Sequence, residues 1–261
     1  MDIAMQRKLA KLLAELRRSG RQQSGLDPRL VPTDPATAYR VAALVEEELG
    51  WPVAGWKIAA FKEQMQRELR AEAPIYGRVF APLVKPAPVT FERAKLASPI
   101  PEVEYQAKLG ADLPVRDKPY TVEEVGEAVV SLHPGIEMAE CRFIHDTAFP
   151  PLPAILADGA GSGTIVHGPA IEDWRRQDIS GQVVTLSCNG KVRRTGTAAA
   201  AIDHPVVPLA WLANELSRTG IGMKAGQMIS TGTLTGMLAP KPGETFVADF
   251  GPLGSVSLNV I

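Results

Sequence analysis

PEVEYQAKL (residues 101–109) reads as a β-strand, and its texture sets the class of the whole chain. Side chains alternate across a strand, so Glu102 and Glu104 share one face while Pro101, Val103 and Tyr105 take the other. From about residue 74 onward, short runs of the same kind recur between Gly and Pro: IYGRVF, GIEMAECRF, SGTIVHG, QVVTLSC, KVRRTGT, MISTGTL, TFVADF and GSVSLNV. CNGK (188–191) lies between two alternating runs and marks a hairpin, because Asn-Gly suits a type I′ turn. Two helices interrupt these strands. TVEEVGEAVVSL opens with the capping-box pair Thr121 and Glu124, and HPVVPLAWLANELSRTG ends at Gly220.

The first part of the chain reads differently. Ile3, Leu9, Leu12, Leu13 and Leu16 recur at helical spacing up to Gly20, and Asp34-Pro35 opens a second helix that runs to Gly50. GWKIAA (55–60) reads as a strand, and FKEQMQRELRAEA as a third helix. The expectation is an α+β fold, with a helical N-terminal region over 1–72 and a mixed or antiparallel β body over 73–261. That body should close as a roll or barrel, the two parts forming one compact unit.

Bulk properties exclude several classes. The 261 residues carry 28 basic and 29 acidic side chains, which gives no electrostatic reason to expect nucleic acid or an anionic membrane as partner. No run approaches a membrane span, and charges interrupt the N-terminal apolar positions, unlike a signal peptide. Cys141 and Cys188 are too few and too isolated for a disulfide framework or a thiolate metal site, which fits a reduced, cytoplasmic compartment.

Two carboxylates one residue apart on a strand can simply face water. A third acid changes the balance: Glu137, in GIEMAE (135–140), lies between Ile136 and Met138, where an unpaired charge is costly. Three convergent carboxylates do not all stay ionised without a cation. A hard divalent ion such as Mg²⁺ or Mn²⁺ resolves the conflict through oxygen ligands, and the absence of thiolate or histidine clusters argues against zinc. Lys57 projects to the face of GWKIAA shared with Ala59. It is either a surface lysine or an acid/base group whose pKa desolvation lowers. ADGAGSGTIV (157–166) is a poor dinucleotide loop, since a β-branched run follows it. It reads as an ordinary turn, or as a tight loop that brings Ser162 or backbone amides to a ligand with Asp158 orienting. In STGTLTG (230–236), Thr231 and Thr233 share a face suited to a carboxylate. His145 sits in a loop after the Glu137 strand, and no covalent nucleophile is evident.

The ordered set GWKIA, MQRELRAEAPIYGRVF, PEVEYQAKLG, GIEMAECRF, LADGAGSGTIVHGP, MISTGTLTGM and KPGETFVADFGPLGSVSL resembles the 2-keto-4-pentenoate (2-hydroxypentadienoate) hydratases and 4-oxalocrotonate decarboxylases of the fumarylacetoacetate hydrolase superfamily. The resemblance runs from about residue 35 to the end. It implies a mixed β-roll core and a Mg²⁺ or Mn²⁺ ion held by Glu102, Glu104 and Glu137, with Lys57 at the family's lysine position. It also implies a homo-oligomer acting on 2-oxo or 2-hydroxy acids from the meta-cleavage breakdown of aromatic compounds. Hydration would proceed through a metal-stabilised enolate, with Lys57 moving a proton, Asp158 assisting, and Ser162, Thr231 and Ile75 near the substrate. In the decarboxylase version the same enolate takes up the electrons left as CO₂ departs. Ile75 stands where hydratases commonly have an acid, Gly159 and Gly161 replace an Asn and a Ser, and Ala59 replaces a glycine. The apolar Ile75 is more like the decarboxylase branch. An acylpyruvate-type C–C hydrolase using His145, or a non-catalytic partner subunit, are the further alternatives.

Overall fold

A computed structural model of the protein describes residues 1–144 and 150–261, so His145 lies outside the described residues. Helix α1 (Ile3–Ser19) is capped by the Asp2 carboxylate, which accepts from the Met5 amide at 2.8 Å, and stops at Gly20 in the left-handed region. Helix α2 (Pro35–Leu49) repeats the design, with Asp34 as cap, proline in its first turn and Gly50 as stop. Strand β1 (Val53–Ala59) and helix α3 (Glu63–Leu69) follow. The third helix is shorter than the apolar pattern predicts. Arg70 takes a left-handed conformation, and Pro74, which cannot continue a helix, leads into β2 (Ile75–Phe80).

Strands β3 (Val84–Pro86), β4 (Val89–Phe91) and β5 (Ile100–Leu109) come next. The capping box of Thr121 and Glu124 forms as expected, but helix α4 (Val122–Ala128) ends early and the chain turns directly into β6 (Val129–Ala139). Residues 129–132 were read as helix; their antiparallel pairing with β5 overrides that local pattern. Beyond it lie α5 (Leu152–Ala157), β7 (Thr164–His167), β8 (Val184–Cys188) and β9 (Lys191–Gly196). The β8–β9 link is the Asn-Gly turn, with positive φ at both Asn189 and Gly190. Helices α6 (Ala198–Ala201) and α7 (Val206–Arg218) precede β10 (Met228–Ser230), β11 (Glu244–Asp249) and β12 (Ser255–Val260).

The strands form two mixed sheets. One has the order β2-β1-β10-β5-β6-β7-β3, with β1–β10 and β3–β7 parallel; the other has the order β4-β12-β11-β8-β9. The mixed α/β body with curled sheets expected from the sequence is therefore present, and β1 lies inside the larger sheet. One face of that sheet, carrying Trp56, Val103, Tyr105, Ile136 and Ile229, packs on Leu186, Phe246, Phe250 and Leu258 of the smaller sheet. Tyr105 and Phe250 meet edge to face at 5.1 Å between ring centroids. A second apolar cluster joins α1, α2 and α5 to Ile75 and Phe80. No described helix is long and apolar enough to cross a membrane.

Candidate metal centre

Register explains how distant residues meet. Residues directly opposite one another on neighbouring strands share a face. Lys57 of β1 pairs with Ser230 of β10, and Ser230 pairs with Gln106 of β5. Two and four residues back along β5 from Gln106, Glu104 and Glu102 lie on that same face, and Glu102 pairs with Glu137 of β6. The face away from the apolar core thus gathers one lysine, three carboxylates, a serine and an amide.

All of them are buried. Glu104 is 1% and Glu137 0% exposed, while Glu102, at 9%, borders the cavity described below. The solvated-face reading of Glu102 and Glu104 is therefore overturned. One carboxylate oxygen from each of the three glutamates lies within 4.8 Å of the others. Glu104 Oε2 accepts from Ser230 Oγ at 2.5 Å and from the Gly232 amide at 2.8 Å, and Ser230 in turn accepts from Gln106 Nε2 at 3.1 Å. Glu137 Oε1 accepts from the Gly163 amide at 3.3 Å. Its Oε2 has no hydrogen-bond partner and lies 3.6 Å from Lys57 Nζ. That buried orphan oxygen, facing two other carboxylates, is the donor set a hard divalent cation requires.

Electrostatics point the same way. Burial pushes the Glu102 carboxyl up to about 7, against the pull of Lys57. Burial, and then the Glu137 and Glu102 charges, lift Glu104 well above the carboxylate range, and burial also raises Glu137. Lys57 is buried, not a surface residue, and donates to the Ala160 carbonyl at 3.0 Å. Desolvation works to lower its pKa, but Glu137, Glu102 and Glu104 together outweigh it and raise the value. The lowered lysine pKa expected from burial alone is thus reversed, because three carboxylates face one ammonium.

The 158–163 loop closes over this face. Gly77 of β2, opposite Lys57, has no side chain, and a Cβ there would lie 1.8 Å from the Gly159 carbonyl oxygen. Behind the loop sits a second charged cluster that the sequence did not reveal. Asp158, 2% exposed, accepts from the Arg142 amide at 3.0 Å and faces the Arg17 and Arg142 guanidinium groups at 3.5 and 3.7 Å. The Arg17 guanidinium also bonds to the Asp158 carbonyl. Ser162, expected to approach a ligand, instead accepts from Arg17 through its hydroxyl at 3.2 Å, and its carbonyl accepts from Arg142 at 2.8 Å. Thr231 is also turned away, donating to the Tyr105 carbonyl at 2.9 Å; Thr233, its partner in the pattern, borders the cavity. Ile75 lies on the same sheet face as Lys57, opposite Ala59, and borders the cavity too.

A cavity of about 390 Å³ opens over Lys57, Glu102, Asp158 and Gly232. Ser230 and Gln106, which orient Glu104, were missed in the sequence although they continue an alternation already in view. Arg17 and Arg142 gave no signal, because their partner is 141 and 16 residues away in the chain.

This fold and this acidic face define a family. Residues 64–261 match the fumarylacetoacetate (FAA) hydrolase C-terminal family, and the chain belongs to it. Among individual relatives, it is 30% identical over 250 residues to the 2-keto-4-pentenoate hydratase of Paraburkholderia xenovorans (strain LB400), covering 95% of this chain and 91% of that one. It is 27% identical over 216 residues to the 4-oxalocrotonate decarboxylase of Pseudomonas putida, covering 83% and 80%. The fold superimposes on the 4-oxalocrotonate decarboxylase from Pseudomonas putida G7 complexed with magnesium and adipate. The TM-score is 0.90, with 25% identity and coverage of 100% of this chain and 99% of that one.

Proposed function

We propose that this protein is a divalent-metal-dependent lyase that adds water to 2-hydroxypenta-2,4-dienoate-like acids of the kind produced by meta-cleavage of aromatic compounds. The observation that carries the reading is the buried Oε2 of Glu137, which has no hydrogen-bond partner, beside the Glu102 and Glu104 carboxylates. Those three residues would hold Mg²⁺ or Mn²⁺. Bound there, the ion supplies a fixed positive charge and a Lewis acid for a 2-oxo acid head group.

The remaining roles belong to the protein. Lys57 Nζ, held by the Ala160 carbonyl and drawn toward Glu137, is placed to deliver or remove the proton that interconverts the keto and enol forms. Ser230 and the Gly232 amide fix the Glu104 carboxylate, and the Gly163 amide fixes Glu137. Asp158 acts as a positioning residue: its ion pairs anchor the loop that carries Ala160 and Gly163. The reading also assigns a cytoplasmic homo-oligomer, on the strength of the family resemblance and the two free cysteines.

One observation favours a second reading, a 2-oxo-3-enedioate decarboxylase. Ile75 gives the cavity an apolar, buried wall where an acid would help to place water. A single pair of assays separates the two. Protein with Mg²⁺ should bleach the ultraviolet absorbance of 2-hydroxypenta-2,4-dienoate, and Lys57→Met should slow this by about 10²–10⁴-fold while retaining Mg²⁺ binding. Unchanged absorbance, together with CO₂ release from 2-oxohex-3-enedioate, would transfer the assignment to the decarboxylase.

A further inference from the structure

The cavity is much larger than the head-group site, and its far walls are apolar. Met65 and Leu69 of α3, Ile75 of β2, Ile155 of α5, and Leu234 and Met237 of the segment after β10 line it. At about 390 Å³ it falls in the range of pockets that hold drug-sized ligands, well beyond the need of a five-carbon acid.

Charge on the lining is distributed unevenly. Apart from Lys57, the only cationic side chain among the described lining residues is Lys62, which is exposed to water. The acids on the lining besides Glu102 are Glu140 and Asp158, and both are already paired. Glu140 pairs with Arg142 at 3.2 Å, and Asp158 lies between Arg142 and Arg17. Neither arginine borders the cavity, so neither is available to a ligand there.

We infer that the site takes 2-oxo (or enolised 2-hydroxy) monoacids with an extended apolar tail, and that it discriminates against a second carboxylate at the far end. The inference rests on the 2-oxo acid reading above and adds the tail. A terminal carboxylate carried along these walls would lose its water without gaining a buried cation from the described residues, which is costly. An exposed lysine offers little compensation, because solvent screens such a pair. An alkyl tail of the same length loses nothing polar and buries apolar surface. Selectivity against the dioate thus comes from an unpaired charge, not from steric exclusion.

Binding, with no turnover involved, tests this. With saturating Mg²⁺, calorimetric titration should show 2-oxooctanoate binding at least tenfold tighter than both 2-oxooctanedioate and pyruvate, with oxalate as the head-group control. Met65→Arg, on a half-buried position of α3, should narrow the monoacid-to-dioate ratio by about tenfold by giving the second carboxylate a partner. If oxalate binds but the octanoate gains nothing over the dioate or pyruvate, the tail inference is overturned and the lyase reading stands. If oxalate itself fails to bind with Mg²⁺ present, the metal-centred reading falls instead. A ratio unchanged in Met65→Arg would remove the tail from the α3 wall and overturn its placement.

Discussion

Two buried charge clusters lie on opposite sides of one loop, and they are built to different rules. On one side, Glu102, Glu104 and Glu137 face a single cation, Lys57. On the other, Arg17 and Arg142 face Asp158 and Glu140. The arginine cluster is balanced in charge and closes on itself: each guanidinium also donates to backbone carbonyls of Asp158, Ser162 or Glu140. Its only unsatisfied side-chain atoms are the two Nε groups. The acidic cluster sets three carboxyl groups against one ammonium and leaves a carboxylate oxygen without a hydrogen-bond donor. Burial is equally deep in both, so burial alone does not separate a structural cluster from a functional one. The charge imbalance does: a balanced cluster is complete as folded, and an unbalanced one is completed by a ligand.

The largest test of this contrast is on the balanced side. Asp158→Asn keeps the shape but leaves Arg17 and Arg142 without their shared counter-ion. Removing one member of a buried ion pair typically costs about 3–5 kcal/mol, and that loss should appear in chemical denaturation with and without Mg²⁺ alike. Burial raises the Asp158 pKa even though both arginines pull it down. A variant within 1 kcal/mol of the parent would mean the arginine cluster does not anchor the loop.

On the acidic side, ligand and stability are coupled. Mg²⁺ at 100 times its Kd should stabilise the protein by about 2.7 kcal/mol, since binding only the folded state shifts the equilibrium by mass action. Glu137→Ala should abolish the shift. An undiminished Mg²⁺ shift in that variant, read from melting curves in chelator and in Mg²⁺, would place the ion elsewhere.

The two clusters also differed in how legible they were. The acidic face follows from period-2 alternation in PEVEY and from one acid inside an apolar strand, both local patterns. What brings its residues together, the pairing of Glu102 with Glu137 and of Lys57 with Ser230, is a matter of register between strands far apart in the chain. Fold class and most of the helix boundaries were equally legible, because Asp34, Gly20 and Gly50 act on their own helices. The α4–β6 switch was not, because Thr121 and Glu124 announce a helix start while its end depends on partner strand β5. Nor was the arginine cluster: Arg17 lies in the last turn of an amphipathic helix, where a basic residue ordinarily faces water. The partners of Ser162 and Thr231 were not legible for a related reason, since a hydroxyl's presence in a loop does not say which way it points.

The last effect discriminates most sharply, because its sign is opposite. Glu102 has no hydrogen bond among the described residues, so Glu102→Gln removes charge without breaking one. In chelator, the folded-state carboxyl sits at about 7 against an ordinary 4.5, raised first by burial and also by Glu137. A carboxyl whose folded pKa is raised stabilises the fold through its retained proton below about 4.5, and that contribution is lost as pH rises through about 7. Parent and Gln variant should therefore melt together near pH 4.5 and separate as pH rises, the variant being more stable by up to about 3 kcal/mol at pH 8. Saturating Mg²⁺ should reverse the order, since the parent then gains a counter-ion that the variant holds poorly. Asp158→Asn should show no Mg²⁺-dependent reversal, because its carboxylate sits with Arg17 and Arg142 and not among Glu102, Glu104 and Glu137. If Glu102→Gln were instead destabilising at pH 8 without metal, the acidic face would be as self-sufficient as the arginine cluster, and charge imbalance would no longer distinguish the two.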